Sequence, residues 1–314
     1  MTTAVFSGDE LKRYHFGEDH PFGPYRYEAF MQRFVALGLD KKVSLQTPAL
    51  ADIKDILRFH TAQYVEEVQH CHKNTSGALD GGDTPVFDAD FEATSYVVGT
   101  VLKAVQGIME GAYQRAFVPI AGLHHARRDG AAGFCIFNDC GIAIEALRYH
   151  YGIQRLAYVD IDAHHGDGVF YAFEDDPDVG FVDLHEDGHF LYPGTGMAEE
   201  TGKGIAEKTK LNIPMPPGAD DDEFYQAWEK AETYLRTVKP EFIIFQCGAD
   251  SLAGDPITHM KYSSVAHAYA AKRLARLADD MAEGRLLALG GGGYNLDNLA
   301  EAWTAVVNAL VECD

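Results

Sequence analysis

Apolar residues recur along this chain in two rhythms. Short continuous runs at residues 116–121, 156–161, 179–184, 242–247 and 286–289 are apolar on successive positions, the pattern of strands covered on both faces. Longer segments at 91–110, 140–151, 221–238, 263–281 and 296–311 instead repeat their apolar positions with a helical period. Strands alternating with helices predict an α/β fold, an open parallel sheet with helices on both faces. No internal repeat, low-complexity tract or Pro/Gly/Ser linker divides the chain, so residues 1–314 read as one domain. Segments 74–90 and 192–210, rich in Gly, Asp and Thr, are expected to be long surface loops of the kind that border sites.

Composition narrows the function classes. With 26 basic against 48 acidic side chains, a net charge of −22 repels phosphate backbones and anionic lipid and favours basic ligands such as a polyamine or a Lys-rich segment. Nucleic-acid and membrane partners are therefore not expected. Cys71, Cys135, Cys140, Cys247 and Cys313 are odd in number and contain no CxxC pair, which suits a reducing compartment. The N-terminal stretch has no apolar signal-like core, and no run approaches a membrane span. A cytoplasmic protein is the expectation.

The polar residues that stand out share one position. His124 and His125 follow the first apolar run. Asp160, Asp162, His164, His165 and Asp167 belong to YVDIDAHHGDGV at 158–169, Asp250 follows FIIFQCG, and Tyr294 follows LLALGGGG. The carboxyl ends of parallel strands lie along one edge, where ligands bind. Four runs thus deliver His, Asp and Tyr to one crevice. Alternation along a strand points Asp160, Asp162 and His164 the same way. Two carboxylates and an imidazole there call for a cation, and Arg155 lies at the wrong end of the strand to serve. Completed by Asp250, the set matches a catalytic zinc site with an open fourth position.

Two other metal motifs are rejected. HEDGH at 185–189 has the spacing of H-E-x-x-H, which requires a helix; here it follows a strand, contains Gly188 and runs into LYPGTG. A binuclear manganese site of the arginase type would need further acids where Gly166 and Gly248 stand. GGGG at 290–293 lacks phosphate-loop spacing and a following Lys, and instead lets backbone pass close to a ligand while presenting Tyr294.

Six blocks in order resemble the histone deacetylase family: YHFGEDHP with PYR (14–26), AGLHHARRDGAAGFCIFND (121–139), YVDIDAHHGDGV, LYPGTG (191–196), CGADSLAGDP (247–256) and GGGGYN (290–295). The likeness is to its bacterial acetoin-utilisation branch, near class I, and it implies the arginase/deacetylase-type fold and zinc-dependent removal of acyl groups from lysine. By this resemblance Asp162, His164 and Asp250 are zinc ligands, with Fe2+ an alternative in the cell. His124 and His125 are the tandem histidines, supported by Asp160 and Asp167, and Tyr294 is the donor to the substrate carbonyl. Phe134 and Tyr192 line the acyl-lysine tunnel beside Gly133. Arg26 belongs to an internal channel. A structural K+ would use Asp160, Asp162, His164, Asp183 and Leu184, although class I members usually have Ser where Asp183 stands. The rim acid that grips substrate backbone falls to Asp90 or Glu92. Acylated lysine in proteins is the implied substrate. An acetylpolyamine amidohydrolase acting on acylated small amines, and a non-catalytic acyl-lysine-binding module, are the competing readings.

Overall fold

Burial is complete on successive residues of the central strands, so both faces of the sheet are covered, as the continuous apolar runs require. The computed structural model describes residues 3–71, 77–87 and 90–314. Its strands are β1 (Thr3–Phe6), β2 (Ser44–Gln46), β3 (Arg115–Val118), β4 (Leu156–Asp160), β5 (Val179–Glu186), β6 (Lys210–Met215), β7 (Phe242–Gln246) and β8 (Leu286–Leu289). All pair in parallel in one open sheet, in the order β2-β1-β3-β8-β7-β4-β5-β6.

Parallel strands need crossovers, and helices supply them. They are α1 (Tyr25–Ala36), α2 (Ile53–Ile56), α3 (Ala62–Cys71), α4 (Asp90–Met109), α5 (Asp139–Tyr151), α6 (Asp167–Ala172), α7 (Asp221–Val238), α8 (Ser264–Met281) and α9 (Leu296–Val311). One layer runs α1, α9, α8, α7 by successive contacts; the other gathers α2 to α6 around α4 and α5. Local chemistry starts these helices. Asn138 caps α5, Asp220 and Glu223 form a capping box on α7, and Ser263 and Asn295 cap α8 and α9.

This is the open parallel sheet of the arginase/deacetylase fold, with differences in detail from the sequence expectation. β3 ends at Val118 rather than at residue 121, because Ile120 adopts φ +66 and turns the chain out of the sheet. β2 and β6 carry no clear apolar run, and that of β1 (TAVF) is only three residues long. β2 reads SLQ and is an edge strand, while β6 reads KLNIPM, alternates in character and contains Pro214. The expected 192–210 loop is broken by a short 3-10 turn at Gly204–Ala206 and gives way to β6 at Lys210. In the expected 74–90 loop, residues 77–87 are irregular and Asp90 already begins α4; 74–76, 88 and 89 lie outside the described residues. Among the described residues no helix is long and apolar enough to cross a membrane.

The order of strands decides where the site lies. β3, β8, β7 and β4 are consecutive neighbours, so the four loops bearing the singled-out residues emerge side by side. From β4 the chain crosses to β5 on one side, while β7 lies on the other. That divergence opens a crevice at the carboxyl edge.

Candidate active site

The tandem histidines are held by backbone as much as by side chains. After β3 the chain turns at Gly122 (φ +95), whose N–H, with that of Leu123, donates to buried Asp139. Asn138 Nδ2 donates to the carbonyls of His124 (3.2 Å) and Ala126 (2.9 Å). Both imidazoles are then oriented by carboxylates, His124 Nδ1 on Asp160 at 2.7 Å and His125 Nδ1 on Asp167 at 2.6 Å. Their Nε2 atoms lie 3.1 Å apart. With each Nδ1–H donating to a carboxylate, one Nε2 must also donate, so one ring carries a second proton. Burial, then the neighbouring His124, pushes His125 down to about 4 against the pull of Asp167, which leaves His125 as the neutral acceptor.

At the end of β4 and after β7, Asp162, His164 and Asp250 bring one ligand atom each within 4.8 Å of one another, all buried. His164 Nδ1 is 3.0 Å from Asp162 and 3.1 Å from Asp250. The second oxygen of Asp162 accepts from Gln246 Nε2 (2.9 Å) and Gly292 N–H (2.8 Å), and Ala163 N–H donates to Asp250 (2.8 Å). Burial opposes protonation of His164, yet the two carboxylates override it and push the ring up to about 10. Such a site demands positive charge. Two carboxylates and one neutral imidazole balance a divalent ion, so the donor set fits the metal expected there.

Glycines make this convergence feasible. A Cβ at Gly248 would stand 2.0 Å from Asp162 Oδ2, one at Gly292 2.1 Å from Asp250 Oδ2, and one at Gly166 2.8 Å from Asp160 Oδ2. The positions at which a binuclear site would need acids thus have no room for any side chain.

Over this floor opens a cavity of about 230 Å³, with Phe134, Leu191 and Tyr192 as walls and His125, His164 and Tyr294 at its base. Tyr192 stands edge-on to His125, ring centroids 5.2 Å apart, and Phe134 edge-on to Tyr294 at 5.8 Å. Gly133 leaves no room for a side chain, since its Cβ would meet the His125 ring at 2.5 Å. Arg26 is buried beneath the glycine loop, donating to the carbonyls of Gly291 (2.6 Å) and Gly293 (2.8 Å). Asp255 accepts Tyr294 N–H at 2.8 Å, and burial pushes the Tyr294 phenol well above its usual range, so it stays a donor.

The rim acid requires a correction. Asp90 is fully buried at the start of α4, and Glu92 pairs with Arg13 at 3.0 Å; neither lines the cavity. Asp83 does. It lies in the irregular 77–87 segment, where no periodicity singles out one acid among several. Leu191, the first residue of the LYPGTG block, and Ile257, just after CGADSLAGDP, also line the cavity, although neither was singled out as a site residue.

On β5, Asp183 pairs in register with Asp160 at the end of β4, both fully buried. Asp183 accepts from Gly166 N–H (2.8 Å) and faces His185 Nδ1 (2.7 Å). Burial, then Asp183 and Asp162, pushes the Asp160 carboxyl up. HEDGH begins on β5 and ends in a turn, not on a helix, which disposes of the H-E-x-x-H reading.

A strand-end cluster of tandem His–Asp pairs, a candidate Asp–His–Asp metal set and a Tyr around an aromatic-walled cavity is the kind of site a hydrolase on the arginase/deacetylase fold carries. The family model described as histone deacetylase domain matches residues 20–310, and the chain belongs to the histone deacetylase family. It is 34% identical over 320 aligned residues to acetoin utilization protein AcuC of Bacillus subtilis (strain 168), covering 98% of this chain and 81% of that one. Against histone deacetylase clr6 of Schizosaccharomyces pombe (strain 972 / ATCC 24843) it is 33% identical over 311 residues, covering 96% and 75%.

Proposed function

We propose that this chain is a zinc-dependent deacylase that removes acetyl or other short acyl groups from the ε-amine of lysine in proteins. The observation that carries the reading is the buried Asp162–His164–Asp250 set at the base of an aromatic-walled cavity, with His125 and Tyr294 facing the same space. When bound to those three residues, zinc supplies Lewis acidity at the scissile carbonyl and acidifies water. Phe134 and Tyr192 sandwich the aliphatic stem of the substrate, and Asp83 at the mouth accepts backbone N–H groups. Tyr294 donates its O–H to the carbonyl oxygen as negative charge grows there, roughly 3–4 kcal/mol for a donor of this kind. Once the attacking water replaces His124 as the donor to its Nε2, neutral His125 takes the water proton there and returns one to the departing amine, worth about 10²–10⁴-fold. Asp167 fixes the His125 tautomer, and Asp160 orients His124 beside it. A K+ ion would sit by Asp160 and Asp183, joined by the carbonyls of Asp162, His164 and Leu184; two abutting buried carboxylates favour a cation there.

His125→Ala and Tyr294→Phe should each lose most turnover while keeping metal, and Asp250→Ala should lose the metal, read by elemental analysis that also distinguishes zinc from iron. Near-normal rates in the first two variants would overturn the assignment. A hydrolysis panel of acetyl-lysine peptides against acetylated polyamines tests the substrate: faster cleavage of the polyamines would move the reading to an acetylpolyamine amidohydrolase. No cleavage of either by the metal-loaded protein would support the non-catalytic binding module.

A further inference from the structure

We propose that Asp80, which lies outside the cavity, is a positioning residue for its mouth, acting on Asp83 directly and on Phe134 through the Thr84 hydroxyl. Its kinetic consequence rests on the acyl-lysine reading given under Proposed function; its structural consequence does not.

Three successive backbone N–H groups, of Gly82 (2.9 Å), Asp83 (2.8 Å) and Thr84 (2.9 Å), donate to Asp80 Oδ1. Residues 80–84 therefore wrap around one carboxylate oxygen, and the orientation of Asp83 follows from it. The other oxygen, Oδ2, accepts the Thr84 hydroxyl at 2.5 Å. A hydroxyl has one proton. Once that proton is committed to Asp80, the Thr84 oxygen can only accept, and Phe134 N–H donates to it at 3.1 Å. Thr84 is fully buried, so no water substitutes easily.

Phe134 needs such restraint. Its backbone sits at φ +67, a region a bulky residue holds only when its surroundings impose it. The N–H is fixed by Thr84, and the carbonyl by Tyr14 O–H at 2.7 Å. A second tie closes the loop, Leu79 N–H donating to Thr84 O at 2.8 Å. Although burial works against it, the Thr84 hydroxyl and the three N–H groups hold the Asp80 carboxyl below its usual range, so it remains an acceptor at neutral pH. One exposed-side carboxylate thereby sets both an acid at the cavity mouth and one of its aromatic walls.

The test uses the full chain with three substitutions and two readouts. Amide exchange on the unliganded protein should speed up roughly tenfold or more at Asp83, Thr84 and Phe134 in Asp80→Ala. In Thr84→Val, which keeps the shape but removes the hydroxyl, only Phe134 should speed up, and Thr84→Ser should restore it. On acetyl-lysine peptides, Asp80→Ala and Thr84→Val should raise KM about five- to twentyfold with kcat within about twofold, and Thr84→Ser should return KM toward the original value. Wild-type exchange at Phe134 in both Asp80→Ala and Thr84→Val would overturn the proposal. So would a lowered Tm with KM unchanged, which is what a merely structural role predicts. If the unsubstituted protein cleaves no acyl-lysine peptide, the functional reading fails, and the exchange measurement alone decides this inference.

Discussion

His60 never touches the cavity, yet it stands at the start of a chain of contacts that ends on a proposed catalytic ring. Its Nε2 accepts Asn138 N–H at 2.9 Å, so that nitrogen must be unprotonated, and burial pushes the ring down to about 3. Asn138 in turn holds the carbonyls of His124 and Ala126. Because the folded pKa lies below the ordinary 6.5, the unfolded chain binds a proton that the folded one refuses as pH falls. The His60 contribution is therefore complete above pH 6.5 and is lost progressively toward pH 3. Against His60→Gln, which keeps an acceptor but does not titrate, the stability difference should shift against the unsubstituted protein by about 2 kcal/mol between pH 7.5 and pH 5. Urea midpoints at the two pH values measure this; a constant difference would refute it. At this scale the candidate Asp–His–Asp metal set and the tandem histidines were legible because each sits in a dense motif at a strand end. Asp83 was not, since one acid among several in an irregular loop is singled out only by the cavity beside it.

Helices were legible where capping chemistry and period agreed: α7 and α9 begin and end at the residues the pattern predicts, each opened by an Asp or Asn cap. Edge strands β2 and β6 were not, because they take their identity from the neighbour they pair with rather than from an apolar run, and the three-residue run of β1 is too short to stand out. The N-terminus of α5 links element to site. Asn138 Oδ1 accepts Gly141 N–H at 2.8 Å while its Nδ2 ties down the loop of tandem histidines. Asn138→Ala should lose both the cap and two buried bonds, roughly 2–4 kcal/mol by chemical denaturation. It should also lower kcat by freeing His124 and His125. A loss under about 1 kcal/mol with unchanged turnover would show that α5 and the histidine loop are independent.

At the scale of the molecule, the eight parallel strands of the described residues gather four chemistry-bearing loops on one edge, in a chain of net charge −22. A field of that sign draws basic substrates and is screened within about 8 Å at physiological ionic strength. For a Lys-rich acetylated peptide, kcat/KM should fall as salt is raised from about 0.05 to 0.5 M, while a neutral acetyl-lysine substrate should change little. Equal salt responses would remove charge steering from the account. The sequence by itself determined the strand and helix alternation, the candidate metal-binding residue types and their place at strand ends, because periodicity and side-chain chemistry are local properties. Only the tertiary structure decided that β3, β8, β7 and β4 are neighbours, that Gly166 and Gly248 leave no space for further acids, and that Asp83 rather than Asp90 or Glu92 reaches the cavity mouth. Those are facts of distance between residues far apart in the chain, set by which strands pair and how closely backbone can approach a carboxylate.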